Sequence, residues 1–221
     1  MVDRAATIQR AADLIDAGAF TDAAAVIARE YPFKPGASLV EAVRETGLPI
    51  PSVRSQAPSS TVGRRRRKLS LVEQHRLFLR DGYRCGYSGI RLICPAALLL
   101  VSELLPNHFP CTNYPNCPLK QTHVGLWFLF PSPDHVESFA GGGNCAADNL
   151  VTASSAVNMV KSKHSLTALG WVRRADYDDV GVWDGMTGWF TKAALTHCDV
   201  VARSRYAGIF RDWLAVATSS D

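Results

Sequence analysis

Apolar positions recur at helical spacing near the start of the chain and gather into short contiguous runs further on, and the two patterns predict different elements. Between residues 4 and 17, Ile8, Ala11, Ala12 and Ile15 share one helical face, and Gly18 stands where a helix C-terminus favours a positive φ. Thr21 is placed to cap a second helix from Asp22 to about Arg29, which Pro32 closes. Ser38 and Glu41 have capping-box spacing for a third, short helix ending near Gly47. Residues 1–48 are therefore expected to form a small helical unit. Its Ala-rich, slightly acidic faces offer little to a phosphate backbone, so a brace or a protein contact suits it better than DNA reading.

Residues 49–69 lose the periodicity and are rich in Pro, Ser and Arg, which marks a linker and a domain boundary. Ser70 and Glu73 then repeat the capping-box spacing ahead of a helix from Leu71 to about Arg80, which Asp81-Gly82 ends. The run Leu126-Trp127-Phe128-Leu129-Phe130 predicts a buried strand, Gly141-Gly142-Gly143 a loop, and Leu150-Val151-Thr152 a returning strand. A helix is expected over Ser155 to Ser162, and another from about Tyr206 to Ala217 with Ile209, Phe210, Trp213 and Leu214 on its apolar side. Trp127, Phe128, Phe130 and Trp171 are assigned to the core. The expected fold class is α+β: a principal domain over 70–221 with a C-terminal helical extension, preceded by the unit 1–48 and the linker.

Composition narrows the class of protein. With 221 residues, 47% hydrophobic and 20% charged, the chain suits a soluble fold with one principal core. Its longest apolar stretches, such as Ala96 to Val101, fall far short of a membrane span, so no membrane partner is expected. Asp13 and Asp16 interrupt the N-terminal apolar pattern, unlike a secretory signal, and the expected location is the cytoplasm. Six irregularly spaced cysteines do not form a disulfide framework, leaving burial or metal binding. The net charge of +4 is uneven: residues 1–50 hold five basic and seven acidic residues, whereas 51–70 hold six basic and none acidic. Arg64, Arg65, Arg66, Arg67 and Lys68 make most of that excess, and their separation from acids favours contact with phosphates.

The candidate chemistry lies where two strands and a helix would converge: Asp134-His135, Asn149 and Asn158. Hydrolysing a phosphodiester requires a base to deprotonate water and a cation to neutralise developing charge. Asp134 and Asn158 offer hard side-chain oxygens suited to Mg²⁺ or Mn²⁺, and His135 can act as a base near neutral pH. Adjacent strand residues face opposite ways, so bringing His135 to the side of Asp134 requires a bend, which Pro131 and Pro133 would allow.

The order Asp134-His135-Val136, Gly-rich loop, Asn149-Leu150-Val151-Thr152-Ala153, Asn158 and Lys161 resembles the ββα-metal motif of HNH endonucleases, including the nine-residue step from Asn149 to Asn158. Asp81-Gly82-Tyr83-Arg84-Cys85-Gly86-Tyr87-Ser88-Gly89 resembles the opening segment of many such domains. Ser165 to Trp171 and Trp183 to Gly188 resemble the continuation in a subset of bacterial members, extending the likeness over roughly residues 70–190. The resemblance implies Asp134 and Asn158 as metal ligands, His135 as general base, Asn149 as the residue orienting the His135 ring, and Lys161 as a phosphate contact.

The chain also departs from the family. Many members hold a structural Zn²⁺ with two Cys-x-x-Cys pairs, but here the corresponding positions are Cys85-x-x-Ser88 and Ser154-x-x-Val157, so three of four ligands are missing. Cys111, Cys117 and His123 are candidates for a relocated zinc site with Cys85 or Cys145, although their spacing matches no common module; otherwise Cys85, Cys94 and Cys198 are small buried hydrophobes. The expected activity is metal-dependent cleavage of DNA, in restriction or defence by family analogy. One such site cuts one strand, so a double-strand break requires a homodimer or two successive nicks. The alternatives are an HNH-fold nucleic-acid-binding module that no longer turns over and, ranked below DNA, an RNA-directed nuclease.

Overall fold

The computed structural model describes residues 2–50, 69–114, 118–174 and 182–219. Within them the fold is α+β: many short helices surround one two-stranded antiparallel sheet. The basic run Arg64 to Lys68 and Cys117 lie outside the described residues. Among the described residues, no helix is long and apolar enough to cross a membrane.

Strands β1 (Pro131–His135) and β2 (Leu150–Ser154) pair in the register Pro131↔Ser154 to His135↔Leu150. Two prolines fit this strand because of where the ladder needs donors. Pro133 stands opposite Thr152, whose N–H is donated away to Asp81 Oδ2 (2.7 Å) and whose carbonyl accepts from Gly86 N (2.8 Å), so this pair exchanges no ladder bond. The chain passes directly from β2 into helix α7, Ser155–Lys161, which packs on both strands and completes a ββα unit.

The first three helices are α1 (Arg4–Asp16), α2 (Phe20–Glu30) and α3 (Leu39–Arg44). Ser38 caps α3 by accepting from Glu41 N, as its spacing predicts. The cap expected of Thr21 is not used: α2 starts two residues earlier, at Phe20, with no side-chain cap. Helix α4, Leu71–Arg80, carries the full reciprocal capping box between Ser70 and Glu73 and packs on both strands.

Helix α5, Pro95–Leu104, is apolar around its circumference, and residues 95–102 are all buried, as expected of a helix enclosed by others. Of residues 126–130, expected as a strand, 126–129 belong instead to α6 (Val124–Leu129), Phe130 is its extended C-cap, and the strand begins at Pro131. A five-residue apolar run has too little periodicity to separate a buried strand from a buried helical turn. The deciding residue is upstream: His123 caps α6 through Nδ1, which accepts from Gly125 N at 2.9 Å. Helices α8 (Leu166–Leu169), α9 (Thr187–Thr196), α10 (Cys198–Arg203) and α11 (Ala207–Thr218) complete the fold; α11 buries Phe210, Trp213 and Val216.

The N-terminal helices share the core of the rest. Ile8, Ala11 and Ile15 of α1 join Leu99 of α5, Leu126 of α6 and Phe190 of α9 in the larger cluster. Val43 of α3 joins Cys85, Tyr87, Val151 and Trp171 in a second. The Trp171 indole N–H adds a bond to the Pro49 carbonyl at 2.8 Å.

His123 is one of the fastenings. It is fully buried between Tyr31 and Phe109, and Nε2 donates to the Tyr31 carbonyl at 2.8 Å while Nδ1 accepts from Gly125. Those bonds require the neutral ring, and burial pushes its pKa down from 6.5 to about 4. Below pH 6.5 the unfolded chain binds a proton that the folded chain refuses, so stability falls as pH drops from 6.5 to about 4 and this contribution levels off below. Urea unfolding across that window is expected to show about 3 kcal/mol lost through this group. His123→Gln should remove that part of the pH dependence.

Candidate functional site

Asp134 of β1 and Asn158 and Lys161 of α7 lie along the seam where α7 packs on β1. Asp134 is almost fully buried, and its Oδ2 accepts from the Tyr87 hydroxyl at 2.6 Å and pairs with the Lys161 ammonium at 3.0 Å. Lys161 is fully buried and also donates to the His135 carbonyl at 2.7 Å. Two charges removed from water are tolerated because each is bonded within the seam. Burial, and then the Asp134 carboxylate, push the Tyr87 hydroxyl pKa far up, so the phenol stays a donor.

Tyr87 reaches this place through a close backbone approach. Gly86 donates to the Thr152 carbonyl of β2, and a Cβ on Gly86 would stand 2.1 Å from Val151 Cγ2. Only glycine lets residues 84–91 lie so tightly along β2 and deliver the next side chain beneath Asp134.

One turn before Lys161, Asn158 is half-buried and directs Nδ2 to Ser132 Oγ (3.0 Å) and the Pro133 carbonyl (3.3 Å). Its amide oxygen therefore turns away from the β1 backbone. Asp134 and Asn158 each carry a hard oxygen of the kind a magnesium-type ion binds. The Lys161 ammonium already occupies Asp134 Oδ2, so such an ion would share the carboxylate with it.

The register of β1 is unbroken through His135, and the bend that its prolines would allow is absent. Asp134 and His135 consequently diverge: Asp134 faces Tyr87 and Lys161, while His135 faces the Gly-rich loop. His135 Nε2 lies 3.6 Å from Cys145 Sγ, and its ring sits edge-on to Phe139 with centroids 4.7 Å apart. A thiol donating there meets an unprotonated Nε2. The imidazole is only 7% exposed, so the loop covers it.

Asn149 builds that loop and does not bond the His135 ring. Its Oδ1 accepts from Glu137 N at 2.8 Å, and Nδ2 donates to the carbonyls of Glu137 (3.0 Å) and Asn144 (2.8 Å). Gly143 is held against the same segment, where a Cβ would stand 1.9 Å from the Glu137 carbonyl oxygen. Asn149 thus shapes the surroundings of His135 through backbone, whereas direct orientation of the ring was expected.

The structure brings Asp134, Asn158 and Lys161 into one seam and reaches His135 through its carbonyl. Lys161, expected to contact phosphate, is instead sealed inside by its ion pair. His123, a candidate zinc ligand, has both ring nitrogens committed to backbone, and among the described residues no group of three or more His, Cys, Asp or Glu side chains is placed to hold a metal ion. Cys85 and Cys94 are buried as expected, but Cys198 is exposed. Tyr87 and the approach of Cys145 to His135 were missed as site features. The one local signal for Tyr87 was its position directly after a glycine.

Removing the ammonium alone leaves a buried carboxylate uncompensated, so Lys161→Met is expected to lower unfolding free energy by about 3–5 kcal/mol in urea titrations. Adding Asp134→Asn to Lys161→Met should recover most of that loss; a neutral Lys161→Met would refute the pairing. In comparisons with known proteins, no family model matches this chain, and neither a curated protein nor a solved structure shows significant similarity to it.

Proposed function

We propose that the chain is an HNH-type endonuclease that hydrolyses phosphodiester bonds of DNA at the seam between β1 and α7. The observation that carries this reading is the ββα unit itself: Asp134 and His135 end its first strand, Asn149 enters its second, and Asn158 lies in the helix that follows directly. His135 takes the proton of an attacking water at a ring nitrogen as the water oxygen bonds to phosphorus and the bond to the leaving oxygen breaks. Asp134 and Asn158 would hold a divalent cation, Mg²⁺ or Mn²⁺, which would supply neutralisation of the negative charge that develops in the reaction. Lys161 positions both neighbours, gripping the Asp134 carboxylate with the His135 carbonyl. The loop from Glu137 to Asn149 moves aside to admit DNA, and the basic run at 64–68 adds phosphate contacts. A homodimer would supply the second cut of a double-strand break.

Two observations favour a second reading, a nucleic-acid-binding module without turnover: the loop covers His135, and Lys161 neutralises Asp134. Plasmid cleavage by the purified chain separates them. With Mg²⁺ or Mn²⁺ the wild type should nick supercoiled DNA, EDTA should stop it, and His135→Ala should lose about 10²–10⁴-fold in rate. Equal DNA binding by wild type and His135→Ala, with no cutting by either, would replace the nuclease with the binding module.

A further inference from the structure

A cavity of about 270 Å³ opens beside the seam, between α4, α6 and the start of β1. Its walls are flat and apolar: Trp127, Pro131, Pro133 and the stacked pair Tyr114–Phe130, with ring centroids 5.3 Å apart and planes 20° from parallel. Trp127 and Tyr114 are half-buried, in contrast to the core placement expected of Trp127. Gln74, Ser132 and Ser155 supply the remaining polar groups, and none of the lining residues is charged. An uncharged slot with planar walls and a few hydrogen-bonding groups suits a neutral planar ring and repels a desolvated phosphate.

Two features tie the cavity to the candidate centre. Ser132 Oγ and the Pro133 carbonyl, both in its wall, accept the two bonds from Asn158 Nδ2. On the far side, Gln74 Nε2 donates to the Leu69 carbonyl at 3.0 Å, and Leu69 directly follows the basic run 64–68 in the chain. Leu69 is therefore bonded to a residue of the cavity wall.

We propose that this cavity receives an unstacked nucleobase of the bound strand, one nucleotide away from the phosphate addressed at Asn158 and His135. The proposal rests on the nuclease reading for the position of the cut, but base binding can be measured without it. The base stacks on Trp127 and turns its polar edge to Gln74, Ser132 or Ser155. Because a base must leave the duplex to enter, mismatched or single-stranded DNA is bound better than a perfect duplex.

The test uses the full chain and a set of single-stranded oligonucleotides, each with one abasic nucleotide at successive positions. Cleavage in Mn²⁺ is expected to fall about tenfold when one position beside the cut is abasic and to change little elsewhere. Trp127→Leu, checked for folding by thermal melting, should slow cleavage of the intact strand to a similar extent and abolish the positional difference. Cleavage that ignores every abasic position, or a positional penalty that survives in Trp127→Leu, overturns the proposal while the nuclease reading stands. If no DNA is cut, the nuclease reading fails, and fluorescence anisotropy on the same strands decides the cavity: a single-position penalty lost in Trp127→Leu upholds it, whereas uniform binding or no binding overturns it. Should Trp127→Leu not fold, the wild-type abasic series decides alone, a single-position penalty upholding base capture and a flat series overturning it.

Discussion

The buried pair between Lys161 and Asp134 is the constraint around which the ββα unit is arranged. A carboxylate and an ammonium held away from water are costly, and the cost is offset only while α7, β1 and residues 84–91 keep their relative positions. The Lys161 ammonium draws the end of α7 onto β1 through both the Asp134 carboxylate and the His135 carbonyl. The Tyr87 hydroxyl brings the third element to the same oxygen. One bonded cluster therefore sets the height of the helix over the strand, and with it the placement of Asn158 one turn earlier.

A second set of bonds fixes how the chain enters β2. Arg80 at the end of α4 donates to the carbonyls of Ala147 (2.9 Å) and Leu150 (2.8 Å), and Asp81 accepts from Thr152 N. Arg173 holds the Asp148 carbonyl at 2.6 Å. Asn149 then ties the loop back to Glu137, so the backbone on both sides of the glycines is anchored. The loop over His135 is fastened at its base, while Gly142 at its tip takes a φ of +100° that other side chains rarely adopt.

Seam and cavity are two chemically different environments on either side of β1. The seam holds a buried ion pair and the half-buried Asn158 amide, whereas the cavity offers aromatic and proline faces without charge. β1 belongs to both, since Ser132 and Pro133 line the cavity and accept from Asn158. The same strand therefore relates the two environments rigidly. The N-terminal helices support this arrangement from below: Val43 of α3 packs in the cluster that contains Tyr87, Val151 and Trp171.

Much of the fold was legible where the determinants are local. Helical spacing marked α1, capping residues marked α3 and α4, and apolar periodicity marked α11, because each depends on neighbours within a few positions in the chain. The order Asp134, His135, Asn149, Asn158 was likewise readable as a motif, and a strand at Leu150 followed directly by a helix from Ser155 was predicted. The tertiary structure alone decided what those side chains do. Whether a lysine meets phosphate or an internal carboxylate depends on which face of a seven-residue helix is covered, and that face is set by Tyr87 and β1, remote in sequence. The same holds for residues 126–129, whose helix is capped by a buried histidine bonded to the Tyr31 carbonyl at the end of α2, and for Trp127, whose ring becomes a cavity wall only once β1 and α4 have packed beside it. Sequence determined the local conformations and the chemical inventory; long-range packing determined which of those groups are spent on holding the fold and which are left facing a ligand, because burial and pairing are properties of the assembled neighbourhood.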